Sequence, residues 1–136
     1  MYDKLEIASD RDVLRARQSG RMRARNLGFG RADQTRLATA ISELTRNVLR
    51  YAGKGTCSFR QEEVDETDRR LEVTVEDNGP GISDLEAAMR DGYSTGSGLG
   101  AGLPGAKRLV HEFDIESRPG YTRITIAITT KPKSRR

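Results

Sequence analysis

The chain is 136 residues long, with 32% charged residues, 5% aromatic residues, no tryptophan and a formal net charge of +4. That length suits one domain with a real core, and the single cysteine, Cys57, excludes an internal disulfide and any multi-cysteine metal site. No apolar run is long enough to span a membrane and no signal-peptide pattern opens the chain, so a cytoplasmic protein is expected.

In chain order, Leu5-Glu6-Ile7 reads as a short edge strand. Ser9-Asp10 offers an N-cap, and Val13, Ala16, Gly20, Ala24 and Leu27 then recur at helical spacing with arginines between them. Gly28-Phe29-Gly30 ends that helix. Asp33 reads as the cap of a second helix, whose apolar stripe is Leu37, Ala40, Ile41, Leu44, Val48 and Tyr51 and which closes at Gly53-Lys54-Gly55. Cys57 and Phe59 alternate with polar residues, and so do Leu71, Val73 and Val75, which predicts two strands. Between them Gln61 to Arg70 is charged and poor in apolar content, the pattern of a hairpin loop. Asp84 to Met89 reads as a short helix, and Arg90 to Gly100 as a glycine-rich segment with little to bury. Leu103 to Val110 is a helix with Pro104 in its first turn, where a missing N–H does no harm. Phe113-Asp114-Ile115 and then Ile124, Ile126 and Ile128 finish as two strands turning at Pro119-Gly120.

The order β-α-α-β-β-α-α-β-β, with strands in runs, argues for an α/β sandwich of the α+β kind. Its sheet is expected to be mixed, mainly antiparallel, with helices on one face. Residues 1–130 form the expected domain and 131–136 a basic tail. Such a tail can signal nucleic acid. Acidic residues run through the body, however, and no recognition helix or aromatic stacking platform accompanies it, so a solvated face is expected instead.

Several residues carry chemistry. Glu43 and Asn47 stand at i and i+4, so both can point into one pocket. A carboxylate can orient or deprotonate a hydroxyl, and an asparagine oxygen is a hard neutral ligand suited to Mg²⁺. Taken alone the pair is better read as two exposed residues flanking the stripe, and it gains weight only from the glycine motifs that follow. Asp77 precedes Asn78-Gly79-Pro80-Gly81, which is also a good turn sequence. A turn does not explain the second glycine cluster, Gly96 to Gly105. Glycine lets backbone approach a ligand closely, and a helix opening after such a loop presents free N–H groups to phosphate. Ala106 separates Gly105 from Lys107, so the cluster is not a P-loop, and no strong strand precedes it as a dinucleotide fingerprint requires. Cys57 reads as a small buried strand residue, and His111, the only histidine, as a cap or surface residue.

Glu43-x-x-x-Asn47, Asp77-x-Gly79-x-Gly81 and Gly98-Leu99-Gly100-Ala101-Gly102-Leu103 together resemble the asparagine box and two glycine boxes of the Bergerat-fold (GHKL) ATPases. Within that superfamily Ala40-Ile41-Ser42-Glu43-Leu44, Tyr51-Ala52-Gly53-Lys54-Gly55, Asp91-Gly92-Tyr93-Ser94-Thr95 and Gly98 to Gly105 are similar to the RsbT-like stressosome kinases. Thr45-Arg46-Asn47 departs from the pattern of the anti-sigma-factor kinases.

The resemblance implies a single ATP-binding domain and a serine/threonine protein kinase that uses ATP and Mg²⁺. By position it implies Asn47 as the Mg²⁺ ligand and Glu43 as the base toward the acceptor hydroxyl. Asp77 would accept from the adenine amino group, with Gly79 and Gly81 shaping the base pocket. Gly98, Leu99, Gly100, Ala101, Gly102 and Leu103 would form the phosphate loop, and Asp84 to Gly96 a short lid. Thr122 sits where a strand threonine often supports the base contact, although Tyr121 intervenes. Arg46 suits either transferred phosphate or a structural ion pair. The implied substrates are STAS-domain (RsbS- and RsbR-like) stressosome proteins, and the implied downstream partner is an RsbU-like phosphatase. An anti-sigma-factor kinase and a nucleotide-gated binding module without transfer remain alternatives.

Overall fold

A computed structural model describes residues 2–65, 67–89 and 102–130. The elements are β1 (Tyr2–Ile7), α1 (Asp10–Asn26), α2 (Arg31–Tyr51), β2 (Gly55–Asp65), β3 (Asp68–Asp77), α3 (Leu85–Ala88), α4 (Gly102–Arg108), β4 (Glu112–Arg118) and β5 (Tyr121–Thr129). Their order is the one the sequence predicts. The five strands form one sheet in the order β1-β2-β3-β5-β4, antiparallel at each pairing.

Ser9 caps α1 as expected, its Oγ accepting from the Asp12 N–H at 3.3 Å. Val13, Ala16, Gly20 and Ala24 form the buried stripe of that helix. The second helix corrects the expectation at both ends. It begins at Arg31 with Gly30 as N-cap and no side-chain cap, so Asp33 lies in the first turn rather than ahead of it. At the other end Tyr51, counted in the apolar stripe by its spacing, is 53% exposed. Between them Leu37, Ile41, Leu44 and Val48 are buried against Val73, Val75, Ile124 and Ile126 in one core. Burying each such aliphatic side chain contributes roughly 1.5–3 kcal/mol, and this shared core fixes α2 on the sheet.

Gln61 to Arg70 is not a loop. β2 and β3 continue through it, paired from Gln61–Leu71 to Glu63–Arg69, and the chain turns only between Asp65 and Asp68. The segment looks like a loop in sequence because one face of its strands is covered by charge pairing rather than by apolar side chains. There Arg70 donates to Glu112 and Glu72 at 2.8 Å each and to Glu62 at 3.3 Å. Two helical expectations hold within two residues: 84–89 contains α3, and 103–110 contains most of α4. The segment 90–100 and the basic tail lie outside the described residues.

Arg23 ties α1 to the sheet edge. Its guanidinium sits 4.6 Å over the Phe59 ring, donates to Gln61 at 3.4 Å, and pairs with Asp3 of β1. Cys57 is fully buried in β2, and burial pushes its thiol up to about 12. His111 lies past α4, where its Nδ1 accepts from the Thr129 N–H at 2.8 Å. Among the described residues no helix is long and apolar enough to cross a membrane.

Candidate functional site

α2 carries the first pair of predicted residues. The hydroxyls beside them turn back onto the helix, Ser42 donating to the Ala38 carbonyl at 3.1 Å and Thr45 to that of Ile41 at 2.7 Å. Glu43 and Asn47 are left as half-buried polar groups on one helix face. The Glu43 side chain is 15% exposed, that of Arg46 is 49%, and they approach only to 4.0 Å. This is a loose i, i+3 pair, so both groups keep capacity for another partner. Asn47 makes no side-chain hydrogen bond among the described residues.

Two close approaches bring the end of α2 to the end of β3. At Gly55 a side chain would collide with the Glu76 carbonyl oxygen and lie 2.8 Å from Val48 Cγ1 and 3.2 Å from Asp77 Cβ. At Gly79 it would lie 2.6 Å from Ala52 Cβ. Only hydrogen fits at either place, so the helix terminus rests directly on the Asp77–Gly79 turn. Asn47 is five residues before Ala52, roughly 7 Å along the axis. Asn47 thus lies toward the end of α2 that meets the Asp77 turn, with Glu43 one turn further back along the helix.

Asp77 is half-buried at the last position of β3. Its Oδ1 accepts from the Gly79 N–H at 2.9 Å, and its Oδ2 has no partner among the described residues. The carboxylate therefore closes its own turn with one oxygen and offers the other. In register, Asp77 stands opposite Thr122 of β5, which stands opposite Ser117 of β4. Thr122 is buried, with its Oγ1 2.7 Å from Ser117 Oγ. Tyr121, which blurred this alignment in sequence, faces the other side of the sheet. It donates to Glu76 at 2.6 Å, and that bond, with some burial, raises its pKa.

Gly81 has φ +83°, and a side chain there would run into the Arg118 carbonyl. Beyond it the Ile82 N–H donates to Ser117 Oγ at 2.8 Å. The 77–82 turn is therefore clamped between α2 and the β4–β5 hairpin. Of the second glycine cluster, Gly102 opens α4 with φ +58° and Leu103 is buried in the common core. Gly98, Leu99, Gly100 and Ala101 lie outside the described residues, as does most of the expected lid.

Sequence reasoning missed Gly55, Ala52 and Ser117. Gly55 was visible only as a helix stop, Ala52 as part of a phrase, and a lone serine in a strand carries no signal at all. A surface depression lined by Lys4, Leu5, Glu6, Asp12 and Arg15 lies at the β1 edge and contains none of the predicted residues. Among the described residues no cluster of three or more His, Cys, Asp or Glu could hold a metal by itself.

Residues 32–132 match the family described as histidine kinase-, DNA gyrase B- and HSP90-like ATPase. The serine/threonine-protein kinase RsbT of Bacillus subtilis is 50% identical over 116 residues, which cover 85% of this chain and 86% of that protein. A dicarboxylate transport sensor protein, DctB of Rhizobium meliloti, is 30% identical over 88% of this chain, which spans only 21% of that protein's length. Among solved structures, the RsbU and RsbW domains of a Mycobacterium tuberculosis protein superpose with TM-score 0.60 at 18% identity. That match covers 95% of this chain and 36% of the other. The catalytic domain of histidine kinase ThkA superposes with TM-score 0.56 at 18% identity, covering 98% of this chain and 99% of that one. At such identities the structures show a shared fold alone.

Proposed function

This chain belongs to the histidine kinase-, DNA gyrase B- and HSP90-like ATPase family and, within it, with the RsbT serine/threonine kinases; from that premise we propose that it phosphorylates STAS-domain proteins and activates an RsbU-like phosphatase. The activity is ATP-dependent protein serine/threonine kinase. The observation that carries the site reading is Asp77, whose Oδ2 is unspent beside a glycine turn that holds Oδ1. An ionised carboxylate can only accept. It suits the exocyclic amino group of adenine, with Gly79 and Gly81 keeping side chains out of the base's path and Thr122 beside it.

The helix face supplies the transfer chemistry. One unbonded amide oxygen from Asn47, rather than a cage of carboxylates, fits a magnesium ion that keeps its remaining positions for water and phosphate. Bound there, the ion would shield phosphate charge. Glu43, one turn away, would take the proton of the acceptor hydroxyl. As the hydroxyl oxygen bonds to the γ-phosphorus, the bond to the β–γ bridging oxygen breaks and ADP leaves. Arg46, exposed beside Glu43, would meet the transferred phosphate. Backbone N–H groups from Gly98 to Gly102 would hold the phosphates, with α4 behind them. Positioning and charge neutralisation supply most of the rate. Release from a phosphorylated STAS protein would free the kinase for the phosphatase, and both steps would take place in the cytoplasm.

The test is transfer from γ-labelled ATP with Mg²⁺ to RsbS- and RsbR-like STAS proteins, wild type beside Glu43→Ala. Label on the STAS protein that disappears in the variant, with ATP binding retained, is the expected result. Undiminished transfer by Glu43→Ala would remove Glu43 from the mechanism, and bound ATP without any transfer by wild type would leave a nucleotide-gated switch.

A further inference from the structure

We propose that Ser117 is a positioning residue for the nucleotide base, fixing both the Gly81–Ile82 backbone and the Thr122 hydroxyl next to Asp77. The inference rests on the reading of Asp77 as the acceptor of the adenine amino group.

The geometry is specific. Asp77, Thr122 and Ser117 form one cross-strand row over β3, β5 and β4. Their neighbours two residues away, Val75, Ile124 and Ile115, belong to or pack on the core, so the row lies on the helix side of the sheet. Ser117 Oγ accepts from the Ile82 N–H at 2.8 Å, lies 2.7 Å from Thr122 Oγ1, and lies 3.3 Å from the Tyr121 carbonyl. A hydroxyl has one proton and two lone pairs, and the Ile82 amide takes one lone pair. When Thr122 donates to Ser117, the serine proton goes to the Tyr121 carbonyl and Thr122 turns only lone pairs toward the pocket. When Ser117 donates to Thr122, the threonine proton is released toward the pocket. Rotation of two hydroxyls exchanges these arrangements without moving a heavy atom. Ser117 thereby sets whether Thr122 accepts or donates beside Asp77.

The second link is through the backbone. Ile82 follows Gly81, where an added Cβ would run into the carbonyl of Arg118, one residue after Ser117. The serine thus holds the far end of the turn that Asp77 Oδ1 holds at its near end. Without the hydroxyl a half-buried N–H loses its acceptor, and of the two hydrogen bonds that hold the turn only that of Asp77 is left. The unspent Asp77 oxygen then no longer has a fixed direction.

The experiment compares binding of ATP and of inosine triphosphate, which carries a carbonyl where adenine has its amino group, by calorimetry. Wild type is expected to prefer ATP. Ser117→Ala is expected to lose roughly ten-fold in ATP affinity, the scale of one hydrogen bond to a buried amide, with inosine triphosphate affinity little changed, so that the preference collapses. Ser117→Thr keeps the hydroxyl and restores the preference. Thr122→Val tests the same row from its other member and lowers the preference with the Ile82 bond intact, which covers the case of Ser117→Ala not folding. A wild-type preference retained in both Ser117→Ala and Thr122→Val overturns the proposal. Equal losses for both nucleotides, accompanied by a fall in melting temperature, assign Ser117 a purely structural role and also overturn it. No ATP preference in wild type refutes the base role of Asp77 itself, a different result from either.

Discussion

Replacing Gly81 with alanine puts the clamp on the 77–82 turn to a quantitative test. Two effects add at that position. At φ +83° an L-residue costs about 1–2 kcal/mol. The new Cβ would also meet the Arg118 carbonyl oxygen and lie 2.9 Å from its carbonyl carbon, both of them backbone atoms that cannot rotate away. Restoring an ordinary carbon–carbon separation of about 3.5–4.0 Å moves the turn or the hairpin by up to about 1 Å. That is enough to break the Ile82–Ser117 bond, present at 2.8 Å, for about 1–3 kcal/mol more. The total is roughly 2–5 kcal/mol. Gly53 supplies the control, because its φ is +85° and no atom lies within 4 Å of the added carbon. Gly53→Ala should therefore cost only the backbone term, about 1–2 kcal/mol. The assay is urea unfolding of both variants beside wild type, analysed at a common slope, with ATP affinity measured in parallel. Gly81→Ala is expected to be the less stable variant and to lose nucleotide affinity, while Gly53→Ala keeps it. If the two variants unfold together within about 0.5 kcal/mol, the resolution ordinarily ascribed to such comparisons, the clamp carries no energy and the reasoning fails.

Cys57 should resist an alkylating reagent at pH 8 in the native state and react once urea unfolds the chain, as mass spectrometry would read. Its thiol is pushed from 9.0 to about 12 by burial, so this contribution to stability is full below about pH 9 and is lost as pH climbs toward about 12; a thiol labelled under native conditions faster than the chain unfolds would refute a fully buried site. Arg70 has its pKa raised by its bond to Glu112, and Arg70→Lys should destabilise by about 1–2 kcal/mol because an ammonium cannot reproduce the fork to three carboxylates. Those partners are partly solvated, so the loss should shrink in 1 M salt; a loss independent of salt would mean that packing of the side chain's stem, not charge, is what Arg70 supplies.

The parts of the fold legible in sequence are those where one physical signal dominates. The α2 stripe and the alternation of Leu71, Val73 and Val75 each bury a single face, so their periods give the elements directly. Gln61 to Arg70 misleads because its apolar content is low for a reason other than a loop: one face of the sheet is open, and Arg70 with Glu62, Glu72 and Glu112 replaces apolar cover by charge pairing. Asp33 misleads because an acidic residue in a first turn serves the helix dipole as well as a cap does. At the candidate site, Glu43, Asn47 and Asp77 could be proposed from sequence, since i, i+4 geometry and a turn-forming aspartate are local, although their roles rest on the family resemblance. The residues that hold them could not. Ser117 is far from Ile82 in sequence, and only the β3-β5-β4 order of the sheet, with the turn after Asp77 folding back over the hairpin, makes them neighbours.

The two clamps differ in kind, and the difference bears on how the site works. On the α2 side Gly55 and Gly79 bring backbone against Val48 and Ala52, a contact of shape with no polar component. It fixes distance, because neither surface can close further or part without exposing apolar core. On the hairpin side the contact is a hydrogen-bonded row, Ile82 to Ser117 to Thr122, which fixes direction. On the proposed reading, base recognition by a carboxylate would need direction, since the Asp77 oxygen would have to face one amino group. Phosphate handling along α2 would need distance, since Glu43 and Asn47 would have to stay one reach from the base end. Each requirement is met by the type of contact able to enforce it. A substitution that fills Gly55 should therefore disturb Glu43 and Asp77 together, whereas one that removes the Ser117 hydroxyl should lower base discrimination and loosen the 77–82 turn while leaving the α2 contact in place.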